Sequence, residues 1–206
     1  MRNYIIALLT VFALFMVMAS GTASAAAPAA FHECEACHGT NGVSTDKSIP
    51  IIAGMSAFYL DGELQAYQKG LRPCPKTKYP KDAAKPATDM CDMAKKLSPA
   101  DSTAIDKYLA SQPFVPATQS FDPKLAAIGK QIHSQDCELC HTDGGSVADD
   151  DAGILAGQWT PYLQETFKEY VSGKRVAPDK MKPKIAALTP DKINALLQYY
   201  ASEGKK

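Results

Sequence analysis

Apolar positions recur along this chain with the period of a helix. Ile105, Tyr108 and Leu109 fall on one face of a run near the middle, and Leu196, Tyr199 and Tyr200 do the same near the end. A hydroxyl residue followed by proline opens each run, Ser98-Pro99 and Thr189-Pro190, the pairing expected of a cap and a first helical position. Thr160-Pro161 starts another helix, which Gly173 ends. Asp122-Pro123 starts one more, with Leu125, Ile128 and Ile132 expected to point inward. No run alternates with period two, so the predicted fold class is all-α. The stretch after Gln112, with Pro113, Pro116 and several small polar residues, reads as a linker.

The longest apolar run is at the N-terminus. Residues 4–19 are apolar apart from Thr10, Arg2 precedes them, and Ala23-Ser24-Ala25 has the small-x-small form of a signal-peptidase site. Sixteen residues fall short of the roughly 20 that span a bilayer. The expectation is a secretory signal over 1–25, cleaved after Ala25, and a mature periplasmic chain with no membrane span. Lys plus Arg and Asp plus Glu both number 22, and this balance argues against nucleic acid as a partner.

The chain also repeats itself. Cys34-Glu35-Ala36-Cys37-His38 returns 103 positions later as Cys137-Glu138-Leu139-Cys140-His141. The same offset pairs Ala53-Gly54 with Ala156-Gly157, Tyr59 with Tyr162, Tyr67 with Tyr170 and Arg72 with Arg175. Further on the offset falls to 91, pairing Met90 with Met181, Leu97 with Leu188, Pro99 with Pro190 and Tyr108 with Tyr199. The difference is a 12-residue insertion in the first half, between Arg72 and Met90. Domains are expected at 26–112 and 123–206, joined by a linker over 113–122. Because Leu125, Ile128 and Ile132 map onto Thr22, Ala25 and Ala29, the first domain should begin with a much shorter helix.

Cys-x-x-Cys-His is the attachment signature of c-type haem. Two thiols three positions apart can form thioethers to both vinyl groups, and the histidine is then held at the iron. Zinc would need further Cys or His ligands at suitable spacing, and a thioredoxin-like pair would not explain a histidine following in both copies. Two covalent haems are expected, on Cys34/Cys37 and Cys137/Cys140, with His38 and His141 as axial ligands. Met90 and Met181, each seven residues before a matched leucine, are the expected opposite ligands. A thioether there gives a closed, higher-potential haem suited to electron transfer. Core packing is the rival role for these methionines. Met93 is the local competitor of Met90, but its repeat partner is Lys184.

Cys74 and Cys91 remain. Outside the cytoplasm they are expected to form a disulfide, closing a loop of about 16 residues, contributing on the order of 3 kcal/mol and clamping the segment that presents Met90. A catalytic disulfide and a cysteine haem ligand are the alternatives. His32 and His133 lack histidine partners in the repeat and read as surface or packing residues. Trp159 and Tyr162 are expected to pack near the second haem.

The series of CHG, Ala-Gly, Tyr-Leu and Met before Leu-Ser/Thr-Pro resembles the tandem dihaem cytochromes of the c-four type. That resemblance implies two class I cytochrome c domains related by duplication. Two longer stretches, residues 114–122 and 154–163, are similar to a narrower family, the dihaem subunit of flavocytochrome c sulfide dehydrogenase. The resemblance implies a non-catalytic electron-transfer subunit bound to an FAD-containing flavoprotein that oxidises sulfide. Electrons would leave to a soluble acceptor such as a small cytochrome c. FAD is expected on the partner alone, since no G-x-G-x-x-G follows a strand here. The Cys74–Cys91 segment and Gly153, where the first half has Pro50, depart from the pattern. A free dihaem carrier serving a terminal oxidase is the alternative function.

Overall fold

The computed structural model describes residues 26–80, 82 and 84–204. The expected signal segment lies outside the described residues. Helices α1 (His32–His38), α2 (Ala57–Gln68), α3 (Met90–Lys95) and α4 (Pro99–Ala110) make the first half. The second half holds α5 (Pro123–Asp136), the kinked turn α6 (Thr142–Gly145), α7 (Thr160–Val171), α8 (Lys182–Ala186) and α9 (Pro190–Glu203). The described residues include only two isolated bridges, Thr77 with Thr88 and Tyr79 with Asp82, both inside the insertion. The fold is all-α, as expected, with two halves of similar helical order that follow the duplication in the sequence.

Local sequence explains the helix starts. The Ser98 hydroxyl accepts from Asp101 N–H while the Asp101 carboxylate receives the Ser98 N–H, a reciprocal capping box ahead of Pro99. Thr189 accepts from Lys192 N–H before Pro190, and Asp122 from Lys124 and Leu125 before Pro123. The leading helices differ as expected: α1 has 7 residues and α5 has 14.

Within α5 the inward face is Ala126, Gly129 and His133, while Ile128 is 50% exposed. This corrects the expectation for Ile128. The reason is the closeness of the crossing with α9: a Cβ on Gly129 would lie 2.0 Å from the Ala195 carbonyl oxygen. Only small side chains fit that seam, so Leu125 and Ile132 flank it, half-buried.

The two halves share a joint. Gln158, fully buried, accepts from Ile51 N–H at 2.9 Å and donates to Ile51 C=O at 2.8 Å. The Trp159 indole donates to Ser44 C=O at 3.0 Å and packs with Ile51, Ala53 and Ala117. Gln119 from the linker donates to Gln158 C=O and accepts from Thr160 N–H. Gly54 and Gly157, matched in the repeat, both take left-handed φ and donate to the carbonyls of Leu109 and Tyr200 in the closing helices. A side chain at either would strike the linker, Phe114 in one case and Pro116 in the other.

Candidate haem sites

In the first half, α1 carries the Cys34–His38 motif as its last turns. The His38 ring is buried, and its Nδ1–H donates to Pro50 C=O at 3.0 Å. That bond fixes the ring and leaves Nε2 for a metal, the usual second partner of a ligating histidine. Burial, the larger influence, holds the His38 pKa below its ordinary value, so the ring is neutral and able to ligate. Burial also pushes the Cys34 thiol up to about 11, so the side chain is an un-ionised thiol at neutral pH.

A cavity of about 370 Å³ opens beside this motif. Cys34, Cys37 and His38 line it, as do Met90 and Met93, with Ile52, Leu60 and Ile105 among its apolar walls. Both methionines reach it because α3 begins at Met90, capped by Asp89, and Met93 stands one turn on. The Cys74–Cys91 disulfide adjoins Met90, with Cα atoms 5.8 Å apart. Lys76 ties the same corner through Asp89 at 2.6 Å and Asp92 at 2.7 Å.

The second half holds its motif in turns after α5. Cys137 N–H and Glu138 N–H both donate to His133 C=O. Cys137 is half-buried and Cys140 exposed. Burial, then the neighbouring His133, lowers the His141 pKa. The Gly153 carbonyl lies near enough to His141 to favour the charged ring, yet the buried Nδ1 makes no hydrogen bond of ordinary geometry. Met181 immediately precedes α8, one position earlier than Met90 stands relative to α3.

Trp159 does not pack in the second half as expected, whereas Tyr162 does pack against its core of Leu163, Leu196 and Tyr200 and reaches the first half as well. Trp159 faces the first half through Ser44, and Tyr162 lines the first cavity together with Glu165, Thr166 and Glu169. Tyr59 reaches the other way: a Cβ on Gly153 would meet its hydroxyl at 2.7 Å. Between these tyrosines lie Arg72 and Arg175, 9% and 4% exposed. One carboxylate, Glu63, serves both, accepting from Arg72 and, at 2.6 Å, from Arg175. Each guanidinium also stacks on its own repeat-matched ring, Arg72 on Tyr67 at 4.4 Å and Arg175 on Tyr170 at 4.5 Å. The two arginines hold the Tyr162 pKa below its ordinary value in spite of burial. The matched arginines and tyrosines were visible in the repeat, but nothing in the spacing showed that they meet.

This cluster tests the fit of haem. Two buried cations share one carboxylate, and Arg72 Nε and Arg175 Nη1 have no partner. Buried charge of that kind calls for further anions, and haem has two propionates. The thiol pair, the oriented imidazole, the thioethers and the apolar cavity fit the rest of the group.

Residues 24–113 match the family model described as cytochrome c. Cytochrome c-554(548) of Halomonas halodenitrificans is 35% identical over 79 residues, covering 38% of this chain and 83% of that protein. The thiosulfate dehydrogenase electron acceptor of Stutzerimonas stutzeri is 29% identical over 205 residues, with 90% and 85% covered. The crystal structure of reduced cytochrome c4 from Pseudomonas stutzeri superposes with a TM-score of 0.66 at 28% identity, over 83% of this chain and 93% of that one. With two haem-attachment motifs in two duplicated helical domains, the chain belongs to the cytochrome c family as a dihaem electron-transfer cytochrome of the c4 type, with two haem c groups.

Proposed function

We propose that this chain is the periplasmic electron-accepting subunit of a dehydrogenase that oxidises a reduced sulfur compound. Domains at 26–112 and 123–206 each hold one haem, ligated by His38 and Met90 in the first and by His141 and Met181 in the second. Haem supplies one-electron chemistry between ferric and ferrous iron. The protein's residues do the rest. Pro50 C=O orients the His38 ring, the disulfide and the Lys76 bridges steady Met90, and Arg72 with Arg175 would offer buried cations to the propionates.

One observation carries the relay reading: the joint itself. Glu63 ties the arginines of both halves together, and Tyr162 of one half lines the cavity of the other. A relay needs its two sites held at a fixed separation, and this joint is built to do so. The stretches that resemble the sulfide dehydrogenase subunit, 114–122 and 154–163, meet at this joint through Ala117, Gln119, Gly157 and Gln158. Their similarity therefore supports a shared arrangement of the two domains rather than a shared docking face. The sulfur-oxidising partner is supported by the resemblance and by the thiosulfate dehydrogenase acceptor among the relatives. Sulfide with an FAD-bearing partner is the specific form we favour.

The cytochrome c4 relatives favour a second reading, a free carrier. Purifying the native protein at low and high salt separates the two. A stable subunit retains a dehydrogenase partner at both, and its haems become reduced on adding sulfide. Reduction by thiosulfate alone would change the substrate, and a chain eluting without a partner at both salts would leave the carrier reading.

A further inference from the structure

His133 sits where the first domain has Ala30, and Tyr200 where it has Leu109. Both are buried, at 0% and 1% exposure. The Tyr200 hydroxyl lies 3.0 Å from His133 Nδ1. His133 Nε2 lies 2.9 Å from the His141 main-chain oxygen and 2.8 Å from a Glu138 carboxylate oxygen. Both of those atoms only accept, so Nε2 carries the proton. Nδ1 is then the acceptor of the Tyr200 O–H. Glu138 in turn accepts from Asp143 N–H at 2.9 Å.

The pair thus holds two of the five residues of the second attachment motif: the carboxylate of Glu138 and the carbonyl of His141. Such contacts are absent from the first domain, whose motif lies in a helix and whose Ala30 and Leu109 side chains have no polar atom. Packing alone does not require them, since an aromatic hydrocarbon would fill the same seam between α5 and α9. A buried polar network in that position is costly unless every member is satisfied. Here it is satisfied, and it points a donor at the peptide of an axial ligand.

We propose that His133, with Tyr200 behind it, is a positioning residue for the second haem: its Nε2–H holds the His141 peptide and the attachment turn, and biases that haem's reduction equilibrium relative to the first. The proposal rests on the reading that a haem is carried on Cys137, Cys140 and His141. The N–H places the positive end of a dipole toward the site and, as a hydrogen-bond donor, offsets part of the field of the Glu138 carboxylate. Both effects favour the reduced, less positive iron.

The test is a potentiometric titration of the holoprotein and three variants, with intact mass confirming two haems in each. His133→Phe should lower one of the two one-electron steps by at least threefold in its equilibrium constant, about 28 mV on a scale of 59 mV per tenfold, and leave the other in place. His133→Gln, which keeps an N–H near Nε2, should restore most of that shift. Tyr200→Phe, which removes one oxygen and keeps the packing, should shift the same step in the same direction by less. If His133→Phe fails to fold, Tyr200→Phe decides. Lower melting temperatures with both steps unmoved, or equal movement of both, would overturn the proposal. A single haem by mass in the unmodified protein would instead refute the reading beneath it.

Discussion

Asp106 has a chemistry of its own inside α4. It is 3% exposed, and one carboxylate oxygen has no partner. Burial, with Asp61 adding to it, pushes its pKa up to about 7. The folded protein therefore holds this proton more tightly than the unfolded chain does. That contribution to stability is present at low pH and is lost as pH rises from about 4 through about 7. Asp106→Asn should be stabilising by about 1–2 kcal/mol at pH 8 and neutral at pH 4. Urea unfolding at both pH values checks this, and a pH-independent difference would contradict it. Single residues also show where sequence reading stops. The matched His38 and His141 were legible because one motif names them. His133 was not, because its only mark is a mismatch with Ala30, and mismatches in a repeat usually mean an exposed site. Its burial follows from the narrow seam that Gly129 creates one turn earlier, a property of two helices rather than of one position.

The helices were largely readable, since Ser98-Pro99, Asp122-Pro123 and Thr189-Pro190 all mark helix starts. The face each helix buries was less so. Periodicity nominated Ile128, but the closeness of α5 to α9 selected Ala126 and Gly129 instead. Gly129→Ala should therefore be severe, because its Cβ meets main chain rather than a side chain that could move. We expect a loss of about 3 kcal/mol or more, read as a large fall in melting temperature. Loss of under 1 kcal/mol would show that the helices can separate. At α3, the Cys74–Cys91 link spans 17 positions and adjoins Met90. Replacing both cysteines by serine should cost about 3 kcal/mol. It should also open the first haem to exogenous ligands such as cyanide while sparing the second. Equal opening of both haems would contradict the separate anchoring of the two domains.

Across the whole molecule the joint matters most. The duplication was plain from the offsets of 103 and 91, but the way the halves meet was not. Trp159 belongs to the second half in sequence and packs on the first in space, and Tyr162 serves both halves. Contacts of that kind depend on the relative placement of two domains, which no local pattern encodes. Glu63 belongs to both halves because Arg72 and Arg175 converge on it. Glu63→Gln removes the one carboxylate between two buried cations. It should destabilise the protein by about 3 kcal/mol and raise both midpoint potentials, because added net positive charge disfavours ferric iron. Movement of one potential only would contradict a shared cluster. The central claim is that each domain carries one haem closed by a methionine, Met90 in the first and Met181 in the second. The most direct measurement is the weak far-red sulfur-to-iron absorption of the oxidised holoprotein, compared with Met90→Ala, Met93→Ala and Met181→Ala. The account predicts that Met90→Ala and Met181→Ala each remove about half of the band and that Met93→Ala leaves it intact. Loss of half the band in Met93→Ala, with Met90→Ala unchanged, would contradict it.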